Sequence, residues 1–421
     1  MNHLHTEGFR ELTKVDDALR ILFGTLREQP VRLESVAVER ALGRYLGKDV
    51  VANQYLPTLD RSVIDGYAIR AEDVRSASQE NPVILRVVGE SRLGETPRTQ
   101  VGRGECVAVG TGSVIPKGAD AVVMVERTIK LPAKRIGVDA PSAPGQGIAR
   151  KGEDVTPGMV VLRAGMPLRP QDIGILKVLA LRRIYVARKP RIAVLSTGNE
   201  LVNSKEKARE AEVIDVNRPI ISGMLQDLGT RPIDLGISKD RKSNIRKTIQ
   251  RGLNTCDAVI ISAGSSVGRR DLVPECINSL GKPGMIVHGV AMRPAMPTGL
   301  AVVNHKPVFS LPGFPVSAYF AFRTFVRPVI AKMLGVHVPF EPTVNARLSE
   351  RIVGIQGNRT HVRVVVKREG GQLVAEPLKL QRSSIMMSMV RANGIITINE
   401  GVKAIEAGQI VEVELIGGIE P

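Results

Sequence analysis

Tryptophan is absent from the 421 residues, and aromatic side chains make up only 3% of them. Platforms that stack single-stranded nucleic acid need exposed aromatic rings, and few are available here. Cysteine is nearly as scarce. Cys106, Cys256 and Cys276 are too few for a disulfide framework and show no Cys-x-x-Cys spacing, so each reads as a small buried hydrophobe. No segment approaches the roughly 20 apolar residues of a membrane helix, and the opening MNHLHTEGFRELTKVDDALR lacks a signal-peptide core. A cytoplasmic protein with no membrane partner is expected. Acidic residues are also in deficit: 59 Lys and Arg against 42 Asp and Glu give a net charge of +17. Such a field favours nucleic acid, acidic membrane and small phosphorylated or oxyanionic substrates alike. Groove-reading motifs and zinc spacings are missing, which argues for no nucleic acid partner.

Hydrophobic residues at 43% and charged residues at 24% are ordinary for a folded chain, and 421 residues exceed what one core serves, so several domains are expected. In VDDALRILFGTLRE (15–28), Ala18, Leu19, Leu22, Phe23 and Leu26 share one face of a helix, with Asp16 and Asp17 in its first turn. A second helix is expected around Val36 to Leu42, ending near Gly43. From 54 to 145, short β-type runs (VILRVVG, ECVAVG, DAVVMVE, KRIGV) alternate with Gly and Pro and predict a β-rich insertion. RPQDIGILKVLA reads as a helix led by Pro170. Between 190 and 335 apolar strands alternate with amphipathic helices, the pattern of βαβ units and a mostly parallel sheet. Beyond Pro339 and Pro342 the chain reads as all β. The fold class expected is multidomain, α/β and β.

In parallel α/β sheets, ligands bind outside the carboxyl ends of the strands. Four apolar runs here end in loops of one kind: STGNE (196–200), SKD (238–240), SAGSSVGRRD (262–271) and LPGFP (311–315). Glycine admits a ligand close to the backbone, hydroxyls donate to oxygens, and a helix N-terminus favours an anion. The first three loops end on Glu200, Asp240 and Asp271. Acids converging on an anion cradle make sense where a divalent cation or a proton has to be managed. A second unusual stretch, LPTLDRSVIDGYAIR (56–70), carries Asp60 and Asp65 among apolar residues, and VAVGTGSVIPKGADAVVMVE places Thr111 in a Gly-Thr-Gly turn. Locally, Asp65 and Thr111 read equally well as turn-capping residues. The six histidines do not cluster, and His288 and His305 read as structural.

Taken in order, DRSVIDGYAIR, GTGSVIPKGADAVVMVE, RKGEDV, RPQDIGIL, RIAVLSTGNEL, VIDVNR, SAGSSVGRRD, LPGFPVSA and RANG (391–394) resemble the molybdopterin molybdenumtransferase family, the MoeA proteins and the gephyrin E domain. The resemblance implies four domains. They are an elongated linker and dimerisation domain (1–53 plus 146–186), a β-rich insertion domain (54–145), an α/β molybdopterin-binding domain (187–336) and a C-terminal β-barrel (337–421). It also implies a homodimer whose cleft sets the β-rich domain of one subunit against the α/β domain of its mate. The implied reaction inserts molybdate or tungstate into adenylylated molybdopterin and releases AMP, with Mg²⁺ or another divalent cation as cofactor. A transient contact with a molybdopterin adenylyltransferase fits that chemistry. By resemblance the catalytic positions are Asp65, Thr111, Glu200, Asp240 and Asp271, with Glu200 and Asp271 on the metal. The substrate-binding positions are Ser196, Thr197, Gly198, Ser262, Gly264, Ser266, Gly268, Arg293, Pro312, Gly313, Pro315, Arg363 and Ser383.

One stretch departs from the family. Where members commonly read KPGKP, this chain has RPAMP, keeping a basic residue as Arg293 but setting Ala295 and Met296 in place of glycine and lysine. A further family lysine corresponds to Gly289, and Ala263 and Ser265 replace a glycine and a valine. A lost lysine contact to an oxyanion is worth about 1.5–3 kcal/mol, and a guanidinium does not imitate a compact ammonium. The alternative expectation is therefore a paralogue that binds or carries the cofactor without making it. The retained acids favour the enzyme.

Overall fold

The computed structural model describes residues 11–204, 209–263, 272–337 and 341–420. They form two compact units, one of Val36–Leu42 and Lys48–Ile184, the other of the described residues within Met1–Ser35, Gly43–Gly47 and Tyr185–Pro421.

Helix α1 (Val15–Thr25) belongs to the second unit, with Asp16 and Asp17 in its first turn. Its apolar face is the expected one: Ala18 and Leu22 are fully buried, and Leu19, Phe23 and Leu26 pack beside them. No helix forms over Val36–Leu42. Residues Leu33–Ala37 are a strand and Val38–Arg40 a single 3₁₀ turn. The β-branched Val36 and Val38 lose rotamer freedom in a helix and suit extended backbone, which outweighs the helix-like spacing.

In the first unit, six strands form one sheet. Strand β1 (Gly66–Ile69) is flanked by β2 (Glu105–Val109) and β3 (Ala121–Met124), antiparallel to both. Val83–Ser91, Arg135–Val138 and Thr128–Leu131 continue the sheet beyond β2. Helix Pro170–Val178 carries proline at its first position, where the missing N–H is no loss.

The second unit holds an α/β domain whose sheet has the order Arg231–Ser238 (β5), Arg191–Thr197 (β4), Ala258–Ala263 (β6), Lys306–Pro312 (β8), Gly299–Val303 (β7), Pro283–His288. The first four are parallel; β7 runs antiparallel to β8 and to Pro283–His288, so it alone opposes the rest. Alternate residues face opposite sides. Ile192, Val194, Ile260, Phe309 and Leu311 pack against α1 and the long C-terminal helix, while Ala193, Leu195, Val259, Ile261 and Val308 pack with Ile245, Ile249 and Leu253. That long helix runs from Pro315 to Leu334 and contains a π turn at Phe322–Val326. Pro328 has no N–H to give the carbonyl of Thr324, and the wider turn accommodates the gap.

Strands Thr343–Leu348, Arg359–Glu369, Gln372–Pro377, Gly394–Ile398 and Ile410–Leu415 close into a barrel, because Arg359–Glu369 pairs with both Gln372–Pro377 and Gly394–Ile398. Its interior is filled by Val362, Val364, Val366, Ala375, Ile396 and Val413. Among the described residues, no helix is long and apolar enough to cross a membrane.

Candidate functional site

Strand order fixes where a ligand can enter the α/β domain. From β4 the chain crosses to β5 on one side and then to β6 on the other, so the crossovers diverge and leave a crevice at the carboxyl ends. The strands end level: Thr197 pairs with Ser238 and Ala263, and Ala263 with Pro312. Ser196, Thr197 and Gly198, Ser262, and Pro312, Gly313 and Pro315 are thus carried to one edge by the sheet itself.

A cleft of about 920 Å³ opens there, lined by Thr197, Glu200, Asn217, Ser262, Gly313 and Ser384 among others. That volume suits a substantial small molecule. Gly198 leaves room for its neighbour: a Cβ there would lie 2.7 Å from Glu200 Oε1, and the flexible Glu200 side chain would have to swing away. The Glu200 carboxylate therefore folds back over the strand end. Asp240 is tied to the same loop: Asn199 N–H donates to Asp240 Oδ2 at 3.2 Å, and Asp240 N–H donates to Asn199 Oδ1 at 3.1 Å. Lys239 Nζ donates to the carbonyls of Asn199 and Leu201 at 2.9 and 3.3 Å. Burial of its carboxyl pushes the Asp240 pKa above the ordinary value; the Asn199 N–H opposes this, and the negative charge of Glu200 adds to it.

The first unit holds the other pair. Asp65 Oδ1 accepts from Thr111 N at 2.7 Å and Thr111 Oγ1 at 2.9 Å, and these two bonds hold the Asp65 carboxyl below the usual range. Gly66 makes the geometry possible, because a Cβ at that position would lie 1.9 Å from the Val123 carbonyl oxygen. The loop Gly110–Gly112 is closed by Gly112, at φ +86°, and by Ser113 Oγ donating to the Gly110 carbonyl at 2.7 Å.

In the barrel Arg363 is fully buried, and none of its three guanidinium nitrogens has a hydrogen-bond partner among the described residues. Burial pulls its pKa down to about 10. Gln381 grips the backbone of this residue: Arg363 N–H donates to Gln381 Oε1 at 3.1 Å, and Gln381 Nε2 donates to the Arg363 carbonyl at 2.8 Å. Ser383 follows two residues on, and its neighbour Ser384 lines the cleft. Arg293 is exposed and outside the residues that line the cleft. It lies in a two-residue strand, Met292–Arg293, parallel to Arg359–Thr360 of the barrel. Ala295 in this loop is buried and has φ +97°, so the backbone keeps the conformation that glycine suits best although glycine is gone. Gly264, Ser266, Gly268 and Asp271 lie outside the described residues.

Three residues of VIDVNR, none of them a candidate by motif, prove central. Asn217 Nδ2 donates to Ser262 Oγ and to the Gly313 carbonyl, both at 2.7 Å, so one carboxamide joins two strand-end loops. Arg218 donates to Asp215 Oδ2 and Asp234 Oδ1, each at 2.5 Å. Asp215 also accepts from Asn217 N–H at 3.1 Å. Polar residues beside a helix start were the available signal, but capping explained them equally well.

The charged lining of the cleft comprises Glu200, Glu210, Glu212 and Asp215 against Arg209. Asp215 is neutralised by Arg218, which leaves hard oxygen donors facing the opening. Carboxylate oxygens are the donor type that a hard divalent cation such as Mg²⁺ takes. Among the described residues, however, no group of three or more His, Cys, Asp or Glu is arranged to hold a metal.

Residues 13–180 match the MoeA N-terminal region (domain I and II), 193–332 the "Probable molybdopterin binding domain", and 345–416 the MoeA C-terminal region (domain IV). The molybdopterin molybdenumtransferase of Bacillus subtilis is 31% identical over 386 residues, covering 91% of this chain and 90% of its own length. That of Staphylococcus aureus strain MSSA476 is 31% identical over 384 residues, covering 90% of both. The crystal structure of the molybdopterin biosynthesis MoeA protein from Pyrococcus horikoshii OT3 superposes with a TM-score of 0.82 at 33% identity, over 96% of this chain and 100% of that one. The chain belongs to the molybdopterin molybdenumtransferase (MoeA) family.

Proposed function

We propose that the protein acts in molybdenum cofactor biosynthesis as a transferase, inserting molybdate or tungstate into adenylylated molybdopterin with release of AMP. The observation that carries this reading is the cleft at the level strand ends, where Thr197, Ser262 and Gly313 supply the donors and close backbone that a pterin phosphate needs. The cytoplasm is its compartment, in keeping with three free cysteines. The chain works as a homodimer with four domains, 1–53 plus 146–186, 54–145, 187–336 and 337–421, and meets a molybdopterin adenylyltransferase transiently.

Splitting a phosphoanhydride is chiefly a matter of position and charge. An anionic substrate cannot settle against Glu200, Glu210 and Glu212 uncompensated. Mg²⁺ or another divalent cation, held by Glu200 with Asp271, would offset this charge and polarise the phosphate oxygens. The raised pKa of Asp240 suits it to accept a proton from an attacking water or oxyanion. Asp65 is held ionised by Thr111 and is a weak proton acceptor. Its role is to fix the Gly110–Gly112 loop as a rigid donor surface. Arg363 and Ser383 contribute from the barrel, the guanidinium supplying a positive charge that has no hydrogen-bond partner among the described residues.

Incubation with adenylylated molybdopterin, Mg²⁺ and either oxyanion, read as AMP release beside a Glu200→Ala control, tests the reading. Oxyanion-dependent release that the control lacks supports it. Tight pterin binding without AMP under either oxyanion leaves a cofactor carrier instead.

A further inference from the structure

At the far end of the same sheet, where the parallel strands begin, lies a second cavity of about 210 Å³. Its floor is apolar, built from Leu26 behind α1 and from Val329 and Met333 of the long helix. Its rim is basic, with Arg27, Arg32, Arg188, His305, Lys306 and Lys332 facing a single carboxylate, Asp257. Part of this charge has a structural task. Arg188 donates to both oxygens of Asp257 at 2.8 and 2.9 Å, and the Arg191 N–H adds a bond of 2.8 Å. Lys306 Nζ donates to the carbonyls of Leu253 and Cys256 at 2.5 and 2.9 Å, closing the C-terminus of helix Lys242–Thr255.

The rest of the rim is not used up in this way. Arg32 is 65% exposed and reaches the already satisfied Asp257 only at 3.3 Å. Lys332 meets Glu28 at 3.5 Å, and Glu28 is 92% exposed. His305 is on the rim because of a tight two-residue turn. Val303 pairs with Lys306, so Asn304 and His305 alone join β7 to β8, at φ +49° and +67°. Such a turn needs left-handed backbone at both positions and favours glycine at the second. An imidazole kept at that position is displayed to the cavity at a conformational cost.

We propose that this groove binds an acidic segment of a partner protein. One apolar side chain enters over Leu26, Val329 and Met333, and the flanking carboxylates meet Arg27, Arg32 and His305. The cavity is large enough for one or two side chains and smaller than the roughly 300 Å³ at which small-molecule pockets begin. Charge complementarity of this kind sets encounter rate and partner choice.

Fluorescence anisotropy with a short fluorescein-labelled peptide alternating glutamate and leucine, at near-physiological ionic strength, tests the proposal. The double variant Arg27→Glu, Arg32→Glu should weaken binding by about tenfold or more. A charge-matched control on the exposed face of another helix, Lys247→Glu with Arg251→Glu, should change it by less than about twofold. A glutamate-only peptide should bind more weakly than the alternating one, and AMP release should be the same in both variants and the wild type. Equal losses in the two variants, no loss in either, or complete displacement by duplex DNA would each overturn the proposal, since binding would then follow overall charge or belong to nucleic acid.

Discussion

Asp65, just before the strand Gly66–Ile69, and Asp240, just after β5, have pKa values shifted in opposite directions. Asp240 has a raised pKa, so folding favours its protonated form: its contribution to stability is present at low pH and is lost as pH rises through the folded value. Removing the charge should therefore leave the fold intact. Asp240→Asn is expected to keep or slightly raise Tm while lowering AMP release by about 100-fold, and to erase the acidic limb of the pH–rate profile. A variant with wild-type rates would remove Asp240 from the chemistry. Asp65 has a lowered pKa, so its contribution is present above the ordinary carboxylate pKa and lost as pH falls through the depressed one. Hydrogen exchange at the Thr111 amide should be slow at neutral pH and fast in Asp65→Ala. The buried Arg363 is a third kind of case. A guanidinium with no partner among the described residues costs stability, so Arg363→Met should raise the unfolding free energy by about 1 kcal/mol or more, seen as a higher Tm, while abolishing AMP release. A fall in Tm would mean that the side chain is held by interactions other than those described.

At the scale of elements, small residues decide where loops can go. Gly66 is packed against Val123, and Gly66→Ala should destabilise the first unit by about 3 kcal/mol, seen as a lower urea midpoint. Ala295 offers the reverse test. Relief of its left-handed strain is offset by a lost buried methyl and a more flexible unfolded chain, so Ala295→Gly should gain only about 0.5 kcal/mol. The strand-end loops were legible in the sequence because glycine, hydroxyl and carboxylate residues there follow long apolar runs, a pattern that only a parallel sheet brings to one edge. The strand at Leu33–Ala37 was not legible, because VAVERAL satisfies helical spacing and extended propensity at once. Nor was the role of Asn217, whose partners Ser262 and Gly313 are 45 and 96 residues away. Long-range hydrogen bonds leave no local pattern. Arg363 was found by resemblance alone, since an arginine in HVRVVVK reads as the solvent-facing half of an alternating strand.

The whole molecule spreads its acids over two units, Asp65 in one and Glu200 and Asp240 in the other, and in the proposed homodimer each site would take one unit from each subunit. Composition indicated a basic protein that prefers anions; the acidic lining of the cleft was hidden in it, because the charge balance is summed over the whole chain. The most direct measurement is oxyanion-dependent AMP release from adenylylated molybdopterin by wild type, by Asp65→Ala, by Glu200→Ala, and by the two variants co-expressed. Activity in the wild type, almost none in either variant, and roughly a quarter of the wild-type rate in the mixture is expected, because half of randomly formed dimers then carry one intact site. A wild type that releases no AMP would contradict the transferase, and a mixture as inert as its parents would contradict a site shared between subunits.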